Sequence, residues 1–475
     1  MDDAKQLWSW WQSLLASFGP VFTRPGWVRF VRWVTGMVMG WEEHTITQIL
    51  VSMNMESRWR AMEQFAEYGA WDRPAVERRT ISLIERECPA RWGGYHPVAV
   101  DDTKLHRTSG GIWGTCTFHE SAARSPNRAE TVRAHNWVVA GDLLPGQPWT
   151  FLPHSSRLYF RRSQLPREET FRTKTQWALE LLRQADGESE APVLAVFDGA
   201  YAMGTVVKPC LQPPADRRRI EILTRLRVDA RLYHPLAAPA GVEGKKTMGR
   251  PRKWGRRMAA PQHHEKWNTS WRKGRARVYG RMRRIRYKRV LCQWSVSGYE
   301  ERVHAFVFEV EGYDRPWFLV TTARDPSGGQ VVEAFAARFR QEDGFRDHKQ
   351  RMGMEECRAW TKEPVLRTFQ VQMVAMTLLR LMQFRLDATW GEGSYWQRPE
   401  WNRRKQHPSI LDLRRLFWRH RARFSKLLLR LEEIEKVPQA TTSARKPAEI
   451  AARNSRNYWL RVSDRKMPSR NGILQ

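Results

Sequence analysis

Apolar and polar positions in the first 90 residues repeat with the period of an α-helix. Residues 7–18 and 26–39 carry aromatic and aliphatic side chains three and four positions apart, and Pro20 and Pro25 separate the two segments. Thr45 precedes a further apolar stretch, as a helix N-cap does. The pattern predicts a helical N-terminal region over residues 1–92. Its interspersed arginines suit a DNA-binding bundle, and helix packing alone explains them equally well.

Short apolar runs that end in acids follow this region. Residues 97–100 run into Asp101 and Asp102, and residues 192–197 run into Asp198. Residues 135–140 and 220–226 are further runs of strand length, and residues 173–184 between them have helical spacing. Strands and helices in alternation predict an α/β fold, in which two strands present acids at their C-terminal ends.

The next segment is strongly basic. Residues 245–289 hold 18 Lys or Arg against one acid, Glu265, and aromatic residues lie among the cations. Residues that favour strands continue through 303–310 and 317–321. We therefore expect a β-rich basic insertion over residues 228–325, whose 245–289 part is a solvated arm without a polyanion. Arg250, Arg252 and Lys253 resemble a minor-groove hook, and a flexible basic turn explains them as well.

One helix predicted over residues 331–349 carries a narrow stripe of charge. Arg338, Glu342 and Lys349 are spaced by four and seven, and Phe335 and Arg346 fall on the same face. A carboxylate among cations suits a divalent metal beside phosphate, whereas an ordinary solvated face gives a similar pattern. Two more helices are expected, a buried one over 365–386 and an amphipathic one over 409–430.

Charge narrows the range of partners. The 475 residues include 81 Lys or Arg and 50 Asp or Glu, a net charge of +31, which favours DNA or RNA as partner. The chain has no apolar run of 18 residues and no signal peptide, so we expect a cytoplasmic, nucleoid-associated protein without a membrane partner. The five cysteines form no C-x-x-C pair, which argues against a zinc ribbon or a disulfide framework.

The candidate catalytic and metal-binding set consists of three acids, two from predicted strand ends and one from a predicted helix. They are Asp102, Asp198 and Glu342. Such a set can hold two Mg²⁺ or Mn²⁺ ions. In order and context these acids resemble those of the DDE transposases of bacterial insertion sequences, in particular the IS-four-like superfamily. Its signature Y-x-x-R-x-x-x-E-x-x-x-x-x-x-K matches at Arg338, Glu342 and Lys349, and departs at Phe335, where the missing hydroxyl removes one phosphate contact.

The two remaining motifs also resemble blocks of that superfamily. Val-Asp-Asp-Thr is similar to its first-aspartate block, and we choose Asp102 over Asp101 because the acid directly before Thr matches better. Phe-Asp-Gly-Ala-Tyr is similar to the second block, which gives Asp198.

The resemblance implies an RNase H-like catalytic core in two parts, residues 93–227 and 326–390, interrupted by the insertion. Residues 391–475 are then a basic helical region with a disordered tail. The implied protein is a cut-and-paste transposase that acts as a homodimer on transposon ends and target DNA. Arg338, Arg346 and Lys349 would contact phosphates, and Trp294 is one candidate to stack on a flipped base. The alternatives are a non-catalytic DNA-binding protein, such as a domesticated repressor or architectural factor, and a basic RNA-binding protein.

Overall fold

The computed structural model describes residues 3–89, 91–120, 131–236 and 252–432. Within these residues the chain forms helices and strands in an α/β arrangement. The helices are α1 (Asp3–Ala16), α2 (Arg24–Met39), α3 (Ile46–Val51), α4 (Trp59–Tyr68), α5 (Arg73–Glu87), α6 (Lys174–Glu188), α7 (Gly204–Leu211), α8 (Gly328–Ala337), α9 (Phe339–Arg351), α10 (Lys362–Trp390), α11 (Ile410–Arg419) and α12 (Arg421–Leu429). The strands are β1 (His96–His106), β2 (Cys116–His119), β3 (Thr131–Leu144), β4 (Thr150–Tyr159), β5 (Val193–Phe197), β6 (Glu221–Arg225), β7 (Leu232–Tyr233), β8 (Arg272–Val278), β9 (Arg281–Trp294), β10 (Val303–Val310) and β11 (Trp317–Thr321).

The expected N-terminal helices are present. Thr23 and Thr45 accept backbone hydrogen bonds as N-caps of α2 and α3, so each helix begins where a capping side chain satisfies a free N–H. Large aromatic side chains fill the space between these helices, and α10 packs against α2, α4 and α5. Among the described residues, no helix has both the length and the apolar character needed to cross a bilayer.

All strands belong to one mixed sheet in the order β2-β3-β1-β5-β6-β11-β10-β9-β7, with β4 on β3 and β8 on β9. Strand β1 is antiparallel to β3 and parallel to β5, and β5 is parallel to β6. The parallel pairing brings the C-terminal ends of β5 and β6 to one edge of the sheet, beside Val100 in the middle of β1. Any acids at that edge lie close together.

Helices cover both faces of this sheet. Even-numbered residues of β1, such as Val98 and Val100, pack with α6 and α7, while Ala99 faces the core formed with α8, α9 and α10. The rings of Trp137 on β3 and Phe369 on α10 stack with centroids 3.9 Å apart, which ties the long helix to the sheet. Strand β1 therefore has two buried faces, and neighbouring side chains meet different partners.

Three expectations about element boundaries were wrong. The basic stretch is not wholly a solvated arm, because residues 272–289 lie in β8 and β9, where Ala276, Val278 and Ile285 are buried. The helix expected over 331–349 is two helices, α8 and α9, that meet at Arg338. The helix expected over 409–430 is likewise two, α11 and α12. Residues 237–251 and 433–475 lie outside the described residues, and so do Arg250 and most of the expected tail.

A buried network of charged and polar side chains joins α5 to the sheet. His96 places Nδ1 3.0 Å from Oε2 of Glu85 and Nε2 2.9 Å from Oδ1 of Asp142, and Nε2 of His154 is 3.3 Å from the same oxygen. Burial disfavours a charged imidazole, yet the carboxylates of Asp142 and Glu85 outweigh it and raise the pKa of His96 to about 9. At neutral pH a protonated His96 thus holds two carboxylates together inside the protein.

Candidate active site

The two neighbouring acids of β1 point to opposite sides of the sheet. Oδ2 of Asp101 lies 3.2 Å from Nη1 of Arg338, on the side covered by α9. Asp102 points the other way, where its oxygens accept hydrogen bonds from Nζ of Lys174 at 2.6 Å and from the hydroxyl of Tyr201 at 3.0 Å. Neither acid ends the strand, because β1 continues to His106. The strand expected to stop before these acids instead carries them within it, so alternation separates them.

Arg338 bridges Asp101 and Glu342. It stands at the junction of α8 and α9, with only 14% of its side chain exposed. While Nη1 contacts Asp101, Nη2 donates to Oε1 of Glu342 at 2.7 Å. The carboxylates of Asp101 and Glu342 thus lie on either side of one planar guanidinium, and 43% of the Glu342 side chain is open to solvent.

Asp198 joins this group through the sheet. Strand β5 pairs with β1 so that Phe197 lies opposite Val100, and Asp198 and Asp101 each come one residue later. Burial raises the pKa of Asp101 to about 6; Arg338 opposes this shift, and the negative charges of Asp102 and Asp198 add to it. Asp101 thus lies near Asp198 and is bridged by Arg338 to Glu342, while Asp102 faces the other side of the sheet.

The acids suit a hard divalent cation in chemistry, although Arg338 takes part of the space between them. In the described part of the chain, no three His, Cys, Asp or Glu side chains stand in positions from which they could hold one metal ion. Carboxylate oxygens are the ligands that Mg²⁺ and Mn²⁺ prefer, and negative charge accumulates around Asp101. The donor chemistry therefore suits such an ion, whereas in this conformation the guanidinium of Arg338 lies between the carboxylates of Asp101 and Glu342.

Other residues of the predicted stripe take separate positions. Phe335 lies on α8 with its ring centroid 6.4 Å from that of Trp317. Arg346 is exposed and donates to Oδ1 of Asp343 at 2.7 Å. Lys349 is half-buried and donates from Nζ to the carbonyl oxygen of Lys104 on β1 at 2.8 Å, and burial lowers its pKa. The stripe thus spreads from the edge of the site to the far end of β1.

The insertion residues that were predicted to contact DNA lie in two different environments, one open and one buried. Arg252 and Lys253 line an open cavity of about 440 Å³, where Nζ of Lys253 lies 4.5 Å from the ring centroid of Tyr299. Trp294, the last residue of β9, is in contrast only 3% exposed, and its ring packs in the core on one face of the sheet. Its proposed stacking on a base is therefore wrong for this conformation, because its ring faces the protein interior.

Sequence reasoning missed Lys174 and Tyr201 as partners of Asp102. Tyr201 belongs to the Asp-Gly-Ala-Tyr motif that gave Asp198, and Lys174 directly follows Thr173, the N-cap of α6. The same reasoning put Asp102 rather than Asp101 in the site. The run Val98-Ala99-Val100 is apolar on both faces, so it contains no sign of which acid faces which helix.

Comparison with known proteins points to a nuclease family. No curated protein matches the chain. The family model described as DDE superfamily endonuclease matches residues 18–290, which is more than half of the 475 residues. The match includes β1 and β5 with Asp101, Asp102 and Asp198, and it ends before α9 and Glu342. The chain therefore belongs to the DDE superfamily endonuclease family.

Proposed function

We propose that the protein is a transposase that binds the terminal inverted repeats of a mobile element, cleaves their strands with divalent metal ions and transfers them to target DNA. One observation carries the proposal: Asp101 on β1 lies near Asp198, which directly follows β5, and Arg338 bridges Asp101 to Glu342 on α9. Family membership supports DNA cleavage as the general activity.

The order of strands supports an RNase H-like core. Strand β3 is antiparallel to both of its neighbours β4 and β1, and β5 and β6 then follow in parallel to β1. We assign this core to residues 93–227 and 326–390. Residues 228–325 are the insertion, whose strands extend the same sheet beyond β6 through the pairing of β11 with β6.

We propose Asp101, in place of Asp102, as the first acid of the site. Its carboxylate faces Glu342 across Arg338, whereas the oxygens of Asp102 are engaged by Lys174 and Tyr201 on the other face of the sheet. Asp102 then becomes a supporting residue that fixes α6 and the turn after Asp198 against β1. The resemblance to the first-aspartate block identifies this motif, but it does not show which of the two acids lies on the same side of β1 as Glu342.

The chemistry divides between metal ions and the residues of the chain. Mg²⁺ or Mn²⁺ would supply, when bound, the activation of water or of a 3′-hydroxyl and the stabilisation of the leaving oxygen. Asp101, Asp198 and Glu342 would hold these ions. Arg338, once released from the acids, is placed to donate to a phosphate beside the cut, since a guanidinium matches phosphate oxygens as well as carboxylates.

Charge supports DNA as the partner. Strands β8 and β9 form a hairpin that presents exposed arginines, among them Arg272, Arg275 and Arg284. Contacts of this kind to phosphates supply most of the affinity of DNA-binding proteins.

The homodimer stays a prediction. Helix α11 buries Ile410, Leu413 and Phe417 within its own chain, so these side chains are not available to a second copy.

The first test is metal-dependent cleavage of DNA that flanks the gene. We expect the purified chain to nick a duplex containing that flanking sequence in Mg²⁺ or Mn²⁺, and to leave it intact in EDTA. An RNA duplex of the same sequence, tested in parallel, addresses the RNA-binding alternative. Tight binding of the DNA without cleavage in either metal would instead favour the non-catalytic repressor or architectural factor.

A further inference from the structure

The helices α11 and α12 carry a strongly cationic surface. Residues 413–431 hold seven Lys or Arg and no acid. One of the seven, Arg414, is only 3% exposed, and the other six are open to solvent on α11, on α12 and at the residue after α12. We call these six the cationic face: Arg415, Arg419, Arg421, Arg423, Lys426 and Arg430.

The opposite side of both helices is packed against the N-terminal helix α1. The ring of Phe417 on α11 lies 4.9 Å from that of Trp11, and the ring of Phe424 on α12 lies 5.2 Å from that of Trp8. Further apolar side chains of α11 and α12 are buried in the same core. The amphipathic pattern of the two helices therefore has a clear consequence, in which the apolar side is buried and the cationic face is turned to solvent.

Few charges of this face are balanced by acids. Arg415 lies 3.8 Å from Oδ1 of Asp412, near the limit of an ion pair. Within the described ranges of the chain, Arg419, Arg421 and Lys426 pair with no carboxylate. Arg415 and Arg419 are one turn apart on α11, and like charges at this spacing repel each other. A polyanion bound to the face would relieve this repulsion.

One cation of the face is held in place by an aromatic side chain. The guanidinium carbon of Arg421 lies 4.3 Å from the ring centroid of Trp418, and Nη1 donates to the carbonyl oxygen of Trp418 at 3.3 Å. The ring of Trp418 in turn lies 5.6 Å from that of Trp41. A guanidinium held over a ring loses little conformational freedom when its remaining N–H groups bind an anion. Arg421 is therefore preorganised to bind a phosphate.

These features favour duplex DNA over two other partners. A membrane surface requires apolar side chains that enter the bilayer, and those of α11 and α12 are packed on α1. A second copy in a symmetric contact would bring the face against itself, so that like charges would repel. The phosphate backbone of DNA presents regularly spaced negative charges, which suit a row of cations without acids.

The cationic face begins one helix length from Glu342. Arg414 points inward and donates to the carbonyl oxygens of Gly40, at the end of α2, and of Arg351, the last residue of α9. Glu342 precedes Arg351 by nine residues, about 14 Å along the helix, which corresponds to about four base pairs of B-DNA. Arg346 is exposed on the same stretch of α9. DNA that passes Glu342 can thus extend to the face.

We propose that the cationic face binds the phosphate backbone of duplex DNA that extends from the cleavage site, as a second anchoring surface separate from the acids and from the insertion. The proposal rests on the proposed function, which identifies the polyanion as DNA.

The test compares two triple variants of the full chain. The face variant combines Arg419→Ala, Arg421→Ala and Lys426→Ala. The control variant combines Arg79→Ala, Arg167→Ala and Arg217→Ala, at exposed positions on other parts of the surface. Each variant loses three positive charges. The probe is a labelled duplex of about 40 base pairs from the gene-flanking sequence, titrated without metal at several salt concentrations.

The face variant should lower the slope of log K against log salt by about three, because each lost phosphate contact removes about one counterion. At about 0.1 M salt its affinity should fall by at least about tenfold. The control variant should keep the wild-type slope. Equal slopes in all three proteins would overturn the proposal. An equal loss of slope in both variants would also overturn it, since net charge and not the face would then be responsible.

Folding and self-association are measured on the same proteins. The Tm of the face variant should stay within about 3 °C of the wild type, because exposed substitutions have small effects on stability. A fall of many degrees would assign these cations to the fold and overturn the proposal. So would self-association of the wild type without DNA, seen by sedimentation velocity, that the face variant abolishes. A wild-type chain that binds as described but cleaves no DNA contradicts the proposed function alone.

Discussion

Replacing Glu342 with Gln should reduce metal-dependent DNA cleavage by on the order of 10³-fold or more while DNA binding stays within about threefold. The amide is isosteric with the carboxylate but neutral, so it holds a divalent cation poorly. Binding should persist because phosphate contacts by many Lys and Arg side chains supply most of the affinity. Single-turnover cleavage and a gel-shift titration on the same DNA measure the two effects separately.

Asp343 provides the matched control for Glu342. It is the next residue on α9, and its carboxylate pairs with Arg340 at 3.0 Å and Arg346 at 2.7 Å. Asp343→Asn breaks two ion pairs of limited burial, which contribute little to stability, and leaves the acids of the site intact. Cleavage by Asp343→Asn should be close to that of the wild type. Near-normal cleavage by Glu342→Gln would remove Glu342 from the catalytic set.

The second large effect concerns stability. Asp142→Asn should lower the free energy of unfolding by about 3 kcal/mol, because it removes the carboxylate between two buried imidazoles and leaves the buried charge of His96 with only one of its two partners, Glu85. Asp314→Asn, at an exposed position, should change it by less than about 0.5 kcal/mol. Urea denaturation followed by circular dichroism compares the two variants with the wild type.

The pH dependence of stability checks the same network. The folded pKa of His96, about 9, lies above its ordinary value of 6.5, so its contribution is fully present below pH 6.5 and is lost as pH rises through 9. The pKa of Asp142 is lowered: burial alone would raise it, but His96 and His154 outweigh burial, so its contribution is lost only in acid. The wild type should lose stability between about pH 7 and 9, and Asp142→Asn should lose less. An identical slope in both proteins would contradict the network.

Local patterns predicted much of the fold. The strands expected over residues 303–310 and 317–321 are β10 and β11, and the apolar run before Asp198 is β5, because in each case a compact apolar run is bounded by polar or turn residues. The buried helix expected over 365–386 lies within α10. The contact between Arg338 and Glu342 also follows from their i,i+4 spacing.

What the sequence did not predict depends on tertiary contacts. Asp101 and Asp102 are neighbours of the same type, and they differ only in the helix that covers their side of β1. Which helix covers which side depends on the path of the chain to α6 and α9, which lie on opposite faces of the sheet. The break at Arg338 has no Pro or Gly to signal it, and it lets the guanidinium reach Asp101 as well as Glu342. Trp294 belongs to the insertion predicted over residues 228–325, yet as the last residue of β9 it packs its ring in the core.

One pair of variants tests most directly whether Asp101 is the first acid of the site. Asp101→Asn and Asp102→Asn differ by one position on β1, and both remove one negative charge at the sheet edge. Cleavage of the gene-flanking duplex in Mn²⁺, measured for both under single-turnover conditions, should be abolished in Asp101→Asn. Asp102→Asn should keep at least about a tenth of the wild-type rate, because its carboxylate only anchors Lys174 and Tyr201. Full cleavage by Asp101→Asn, with loss of cleavage in Asp102→Asn, would contradict the account and restore Asp102 as the first acid.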